Sequence, residues 1–240
     1  MDFNIRKPAH IFAFIVLLFV VFFVVVLPLV FFFLGSDSSL NTIKITDTLL
    51  ILNVIIYLVL FLGAPFLWYL LVNHESIKQM FDSLRLRTKG ITRAVIWGIA
   101  AAITIVILEF IISLLLVIGG QVQENFSNVP ILFAYTSPLV MLFVILVQSP
   151  AEEIFFRGFL LGKIDAVAGE KVAIISTAIF FGLAHFSYDK PLLVLVVILM
   201  GVILGFIVVK TKNLFSSITA HVLVNLTAFV LYFIGKSLGA

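Results

Sequence analysis

The chain has 240 residues, 63% of them hydrophobic and only 11% charged, with 26 phenylalanines and a mean hydropathy of +1.29. Soluble domains run at about 45–50% apolar and about 25% charged, so this composition excludes an ordinary soluble domain and leaves a polytopic membrane protein. The lack of cysteine excludes disulfides, thiolate zinc sites and a cysteine nucleophile, and the net charge of +3 reads as basic membrane loops with no nucleic-acid partner.

A spanning helix takes about 20 mostly apolar residues. Such runs predict an all-α polytopic bundle of seven transmembrane helices, near 9–34, 45–73, 93–118, 129–163, 169–187, 190–209 and 214–236. The first lacks a small-residue cleavage site and is expected to be retained as a helix. Between the second and third spans, Ile77, Met80, Phe81 and Leu84 recur at helical spacing among Lys78, Asp82 and Arg85. That pattern fits an amphipathic helix along the interface, or equally a plain basic connector. The fourth run is long and contains Pro138 and Pro150. It reads as one kinked helix, or as two pieces that would raise the count to eight.

With the N-terminus in the cytoplasm, all of the 15 Lys and Arg except Lys44, Lys190 and Lys236 fall in or beside inner loops. The positive-inside rule asks for that asymmetry, and seven spans then leave the C-terminus outside. Compact loops suit a prokaryotic plasma membrane. No repeat or linker divides residues 1–240, which form a single integral membrane domain.

The stretch PAEEIFFRGFL, residues 150–160, sets Glu152, Glu153 and Arg157 within an apolar run. Charges there cost about 2.5–3.5 kcal/mol each on insertion scales and mark function by default. Glu153 and Arg157 are i and i+4 with the acid first, the favourable order for a pair. Glu152 projects to another face and needs another partner. Left uncompensated in an apolar site, such a carboxylate suits general-base work; the plain alternative is a buried ion network that only holds helices together.

His10 and His74 lie at helix ends and read as interfacial, whereas His185 and His221 fall inside apolar runs. Phe181 stands four residues before His185, and Asn225 four after His221, so each pair shares a helix face. Asn225 serves either as interhelical glue or, with His221, as an oxyanion hole. Counted at about 1.5 Å per residue from the inner loops, Glu152 lies roughly 16–18 Å deep, His185 roughly 24 Å and His221 roughly 12 Å. With tilt, all three can meet. HExxH, GxSG and GxGD signatures are absent.

The three motifs, EEIFFR at 152–157, FGLAH at 181–185 and HVLVN at 221–225, together resemble the CPBP family of CAAX proteases and bacteriocin-processing enzymes, also called Abi, whose pattern is EExxxR, FxxxH and HxxxN. The resemblance covers roughly residues 130–230, the motif-bearing helices. It implies an Rce1-like intramembrane endopeptidase. Glu152 and His185 would activate water, His221 and Asn225 would stabilise the oxyanion, and Glu153, Arg157 and Phe181 would support the site. The implied substrate is a membrane-associated peptide or lipidated protein, such as a prenylated CaaX tail, reached through membrane lipid.

The family was named for metalloproteases. Zinc would take Glu152, His185 and His221, but pairing His221 with Asn225 as donors favours catalysis without a metal. Two other classes compete: a non-catalytic immunity factor or scaffold, and a proton-relay transporter. The second would call for repeat symmetry, which the chain lacks.

Overall fold

The computed structural model describes residues 3–34, 46–120, 136–186 and 191–238. Among them every regular element is helical. A first rod consists of α1 (Pro8–Val21), a π-helical turn (Phe22–Val26) and α2 (Leu27–Leu34). Pro28 would clash with the carbonyl four residues earlier, and widening the turn before it relieves that contact. Then come α3 (Asp47–Leu71), the short α4 (Ile77–Ser83) and α5 (Ile91–Ile118). A second composite rod joins α6 (Pro138–Glu153), a π-helical stretch (Ile154–Leu160) and α7 (Leu161–Ala168). The chain ends with α8 (Glu170–Ala184), α9 (Pro191–Thr211) and α10 (Phe215–Ser237).

Among the described residues six helices are long and apolar enough to cross a bilayer, so the seven or eight spans predicted are not confirmed. The predicted run that is not among the six contains α8. Its 15 residues fall short of a full span, because the helix stops where His185 turns its ring back: Nδ1 lies 2.8 Å from the Phe181 carbonyl and satisfies an acceptor at the helix C-terminus. The predicted fourth span begins later than expected. Pro138 occupies the first turn of α6, where a proline has no hydrogen bond to lose, and Ser137 caps it by accepting from Val140. The composite rod then continues past Pro150 to Ala168. Residues 129–135 lie outside the described set.

Small residues set the closest helix approaches. On α5, a Cβ at Gly98 would lie 2.6 Å from the Ser216 carbonyl oxygen and 2.7 Å from Thr219 Cβ, so α10 sits almost backbone to backbone against it. On α9, a Cβ at Gly201 would lie 2.9 Å from Ala178 Cα of α8. Membrane helices have no hydrophobic drive between them and associate through such contacts. The phenylalanines divide by face. Phe61, Phe155, Phe156, Phe159 and Phe181 are buried, with ring centroids 5.2 Å apart for Phe61–Phe155 and 5.4 Å for Phe156–Phe181. Ile103, Ile107, Phe110 and Leu114 of α5 are exposed, a face suited to lipid.

One end of the bundle gathers the basic loops. The Arg85 carbonyl accepts from Leu214 N at 2.9 Å, and Asn213 Nδ2 donates to the carbonyls of Arg87 and Lys89. Lys163 Nζ, 3.1 Å from Asn73 Oδ1, ties the second rod to the same end. The segment between the second and third long helices forms a helix, α4, with a Ser76–Gln79 capping box at its start, Met80 buried and Ile77 and Phe81 facing outward. His10, in the first turn of α1, is buried, and its Nδ1 accepts from Asn4 N at 3.0 Å. Arg157, counted among the basic loop residues, is instead fully buried within the bundle.

Candidate active site

The second rod carries the acidic pair to the bundle interior. In α6 and the π-helical stretch after it, Glu152, Glu153 and Arg157 are all buried. Arg157 Nη1 donates to Glu153 Oε1 at 2.7 Å, the predicted i, i+4 pair. The Arg157 guanidinium also lies 4.1 Å from the centre of the Phe181 ring, over its electron-rich face. Phe181 also packs beside the two histidines, with ring centroids 4.5 Å from His185 and 5.6 Å from His221. Burying one charge with its partner and an aromatic face offsets a desolvation cost that either would meet alone.

His221, from α10, reaches between the two glutamates. Its Nδ1 is 2.9 Å from Glu153 Oε1, and its Nε2 is 3.9 Å from Glu152 Oε2. The carboxylates thus face different ways, as helix geometry requires of neighbours, and one imidazole addresses both. His185 approaches from α8, with Nε2 3.7 Å from the same Glu152 Oε2. A carbonyl oxygen can only accept, so the 2.8 Å contact to Phe181 places the proton of neutral His185 on Nδ1. The same reasoning puts the His221 proton on Nδ1, towards Glu153. Glu152 Oε2 and the two Nε2 atoms then converge as three acceptors. The gaps of 3.7 and 3.9 Å are too long for direct hydrogen bonds. A group that donates hydrogens, such as water, would satisfy them.

Two contributors were not singled out from the sequence. Gln148 Nε2 donates to Glu152 Oε1 at 2.8 Å, one turn earlier on α6. It holds one carboxylate oxygen and leaves the other facing the histidines. Ser149 Oγ accepts from Asn225 Nδ2 at 2.9 Å, fixing the amide across the α6–α10 interface. Their i, i+4 spacing to Glu152 and Glu153 is a legible signal, but an amide or hydroxyl in a membrane helix more often bonds locally or glues helices. The Asn225 amide has a second hydrogen. Access comes from the His185 side, whose side chain is 33% exposed, whereas those of Glu152 and His221 are 7% and 4% exposed.

Zinc binds oxygen and nitrogen at about 2.0–2.2 Å, which places two tetrahedral ligands about 3.4 Å apart. The Glu152–histidine separations of 3.7 and 3.9 Å exceed that. Among the described residues no group of three or more His, Asp or Glu is arranged to hold a metal ion. No step is derived through a metal ion.

No significant match is found among curated proteins or among solved structures. One family model does match, that described as type II CAAX prenyl endopeptidase Rce1-like, over residues 134–227. The first three long helices lie outside the match, and every motif residue from Glu152 to Asn225 lies within it. Residues 134–227, the three helices whose motifs converge on Glu152 among them, are thus similar to the Rce1-like type II CAAX prenyl endopeptidases.

Proposed function

We propose that the protein is an intramembrane endopeptidase that hydrolyses a peptide bond of a membrane-associated substrate with water activated by Glu152 and His185. The observation that carries this reading is the convergence of Glu152 Oε2 with the Nε2 atoms of His185 and His221. Water between Glu152 and His185 donates a hydrogen to each. Glu152 takes one proton as the water oxygen bonds to the scissile carbonyl carbon, and the carbonyl oxygen becomes the oxyanion. That charge is met by the second N–H of Asn225 and by His221, once its Nε2 has taken a proton from solvent while Nδ1–H stays on Glu153. The carbon–nitrogen bond then breaks, and the proton held by Glu152 passes to the departing amine.

The basic end of the bundle faces the cytoplasm in this reading, following the positive-inside rule. A lipidated, prenylated CaaX-type tail suits a site entered from the membrane, and the family supports that substrate class. Reconstitution in bilayers with prenylated and plain peptides, followed by mass spectrometry of new termini, tests the proposal. Wild type should cleave in the presence of a chelator, and Glu152→Gln should not. Gln148→Leu, which frees one carboxylate oxygen, should lose about 10²-fold in rate, the scale of a small misplacement at a reacting centre. Equal cleavage by Glu152→Gln would overturn the assignment of the base, and loss of wild-type cleavage with chelator would overturn metal independence.

A further inference from the structure

Apart from the catalytic residues, α5, α8 and α9 enclose a groove of about 500 Å³ on the outer surface of the bundle. That volume falls in the range of small-molecule sites, about 300–1,000 Å³. Its lining is apolar, including Trp97, Ala100, Ile174, Val202 and Phe206, with one charged residue, Lys171. Thr104 also lines it, but its hydroxyl is used internally, donating to the Ala100 carbonyl at 2.9 Å. The groove exists because Ala100 and Ala101 are short where α5 passes its neighbours.

Charge is concentrated at one end. Lys171 lies in the first turn of α8. Arg93 stands one turn before Trp97 on α5, and Lys210 one turn after Phe206 on α9, on the same helix stripes and both exposed. These positions are all at the basic end of the bundle, while the apolar walls run from there into the bilayer. Glu170 is exposed too, but projects about 100° around α8 from Lys171.

We propose that this groove binds an anionic glycerophospholipid of the leaflet on the basic side, with an acyl chain along Trp97 and Phe206 and the phosphate among Lys171, Arg93 and Lys210. An apolar chain attached to a negative headgroup matches an apolar groove ending in three cations. A zwitterionic lipid fills the walls equally well and gains less at the rim. Basic pockets between membrane helices select anionic headgroups on this principle. The inference does not depend on the protease reading, because no catalytic residue lines the groove.

Trp97 provides a direct probe. The chain has two tryptophans, and Trp68→Phe leaves Trp97 as sole fluorophore. Phosphatidylglycerol brominated on its acyl chains should quench it at lower mole fraction than brominated phosphatidylcholine. Each cation replaced by alanine should weaken that preference by roughly fivefold, the effect of one basic residue at an anionic surface. Arg93→Ala/Lys171→Ala/Lys210→Ala should abolish it, while Arg6→Ala/Lys7→Ala/Lys78→Ala, an equal charge loss elsewhere at the basic end, should not. Ala100→Phe, which fills the groove and keeps the cations, should abolish quenching by both lipids. Equal quenching by the two lipids in wild type, or a preference that survives the triple replacement, would overturn the proposal. So would displacement by a farnesylated peptide with none by unbrominated phosphatidylglycerol, which would make the groove a site for substrate lipid.

Discussion

Arg157 shows how a single charged residue is tolerated in this interior. Its side chain is fully buried, paired to Glu153 at 2.7 Å and stacked on Phe181, with a longer contact of 3.4 Å to the Gly201 carbonyl. Removing one partner leaves the other charged and without compensation in an apolar medium. Arg157→Met should therefore lower stability by about 3–5 kcal/mol, and Glu153→Gln should do the same. Glu152→Gln should cost less, since Glu152 has no fixed cationic partner and Gln148 contacts only one of its oxygens. Unfolding of the three variants in mixed micelles checks the ranking; an Arg157→Met protein as stable as Glu152→Gln would contradict it. The pair was readable from its spacing alone. The role of His221 between the two carboxylates was not, because spacing within one helix says nothing about which nitrogen a neighbouring helix presents.

At the scale of elements, glycines decide how closely the helices that carry the site can meet. Gly98 lets α10, which bears His221 and Asn225, lie against α5. Gly98→Ala places a methyl group 2.6 Å from a backbone oxygen that cannot rotate away. The expected cost is about 1–3 kcal/mol from overpacking. Activity should fall as well, because α10 would move relative to Glu152. Gly63, whose Cβ would meet nothing within 4 Å, is the control, and Gly63→Ala should be close to neutral. Comparable melting temperatures for the two variants would show that the α5–α10 contact is not tight. A second element-scale feature is the π-helical stretch Ile154–Leu160. Its i to i+5 bonding widens the rod where Glu153, Arg157 and four phenylalanine and leucine side chains crowd inward, and such turns are frequent at functional sites. Nothing in the spacing of apolar residues distinguishes it from ordinary helix.

For the whole molecule, the structure brings the loops near 84–90 and 212–214 and Lys163 and Asp165 of α7 to one end through named hydrogen bonds and the Arg85–Asp165 ion pair at 3.9 Å. The C-terminal end of α10 runs away from it. Because the chain has no cysteine, single cysteines at Lys78 and Ser237 report their own positions. An impermeant maleimide should label Ser237→Cys in intact cells and Lys78→Cys only after lysis. Labelling of both before lysis would contradict the arrangement, and labelling of Lys78→Cys alone would invert it.

The membrane class, the rough positions of the long helices and a set of candidate residues were legible in the sequence, because hydropathy, charge and i, i+4 spacing are local properties written along the chain. Where α8 ends was not, since the helix stops at His185, whose ring nitrogen contacts the Phe181 carbonyl. Nor were Gln148 and Ser149, whose partners become evident only when α6, α8 and α10 are packed together. Tertiary structure decided which polar atoms face one another. Side-chain direction and helix rotation depend on small residues such as Gly98 and Gly201, and on how many groups one buried charge can satisfy at once.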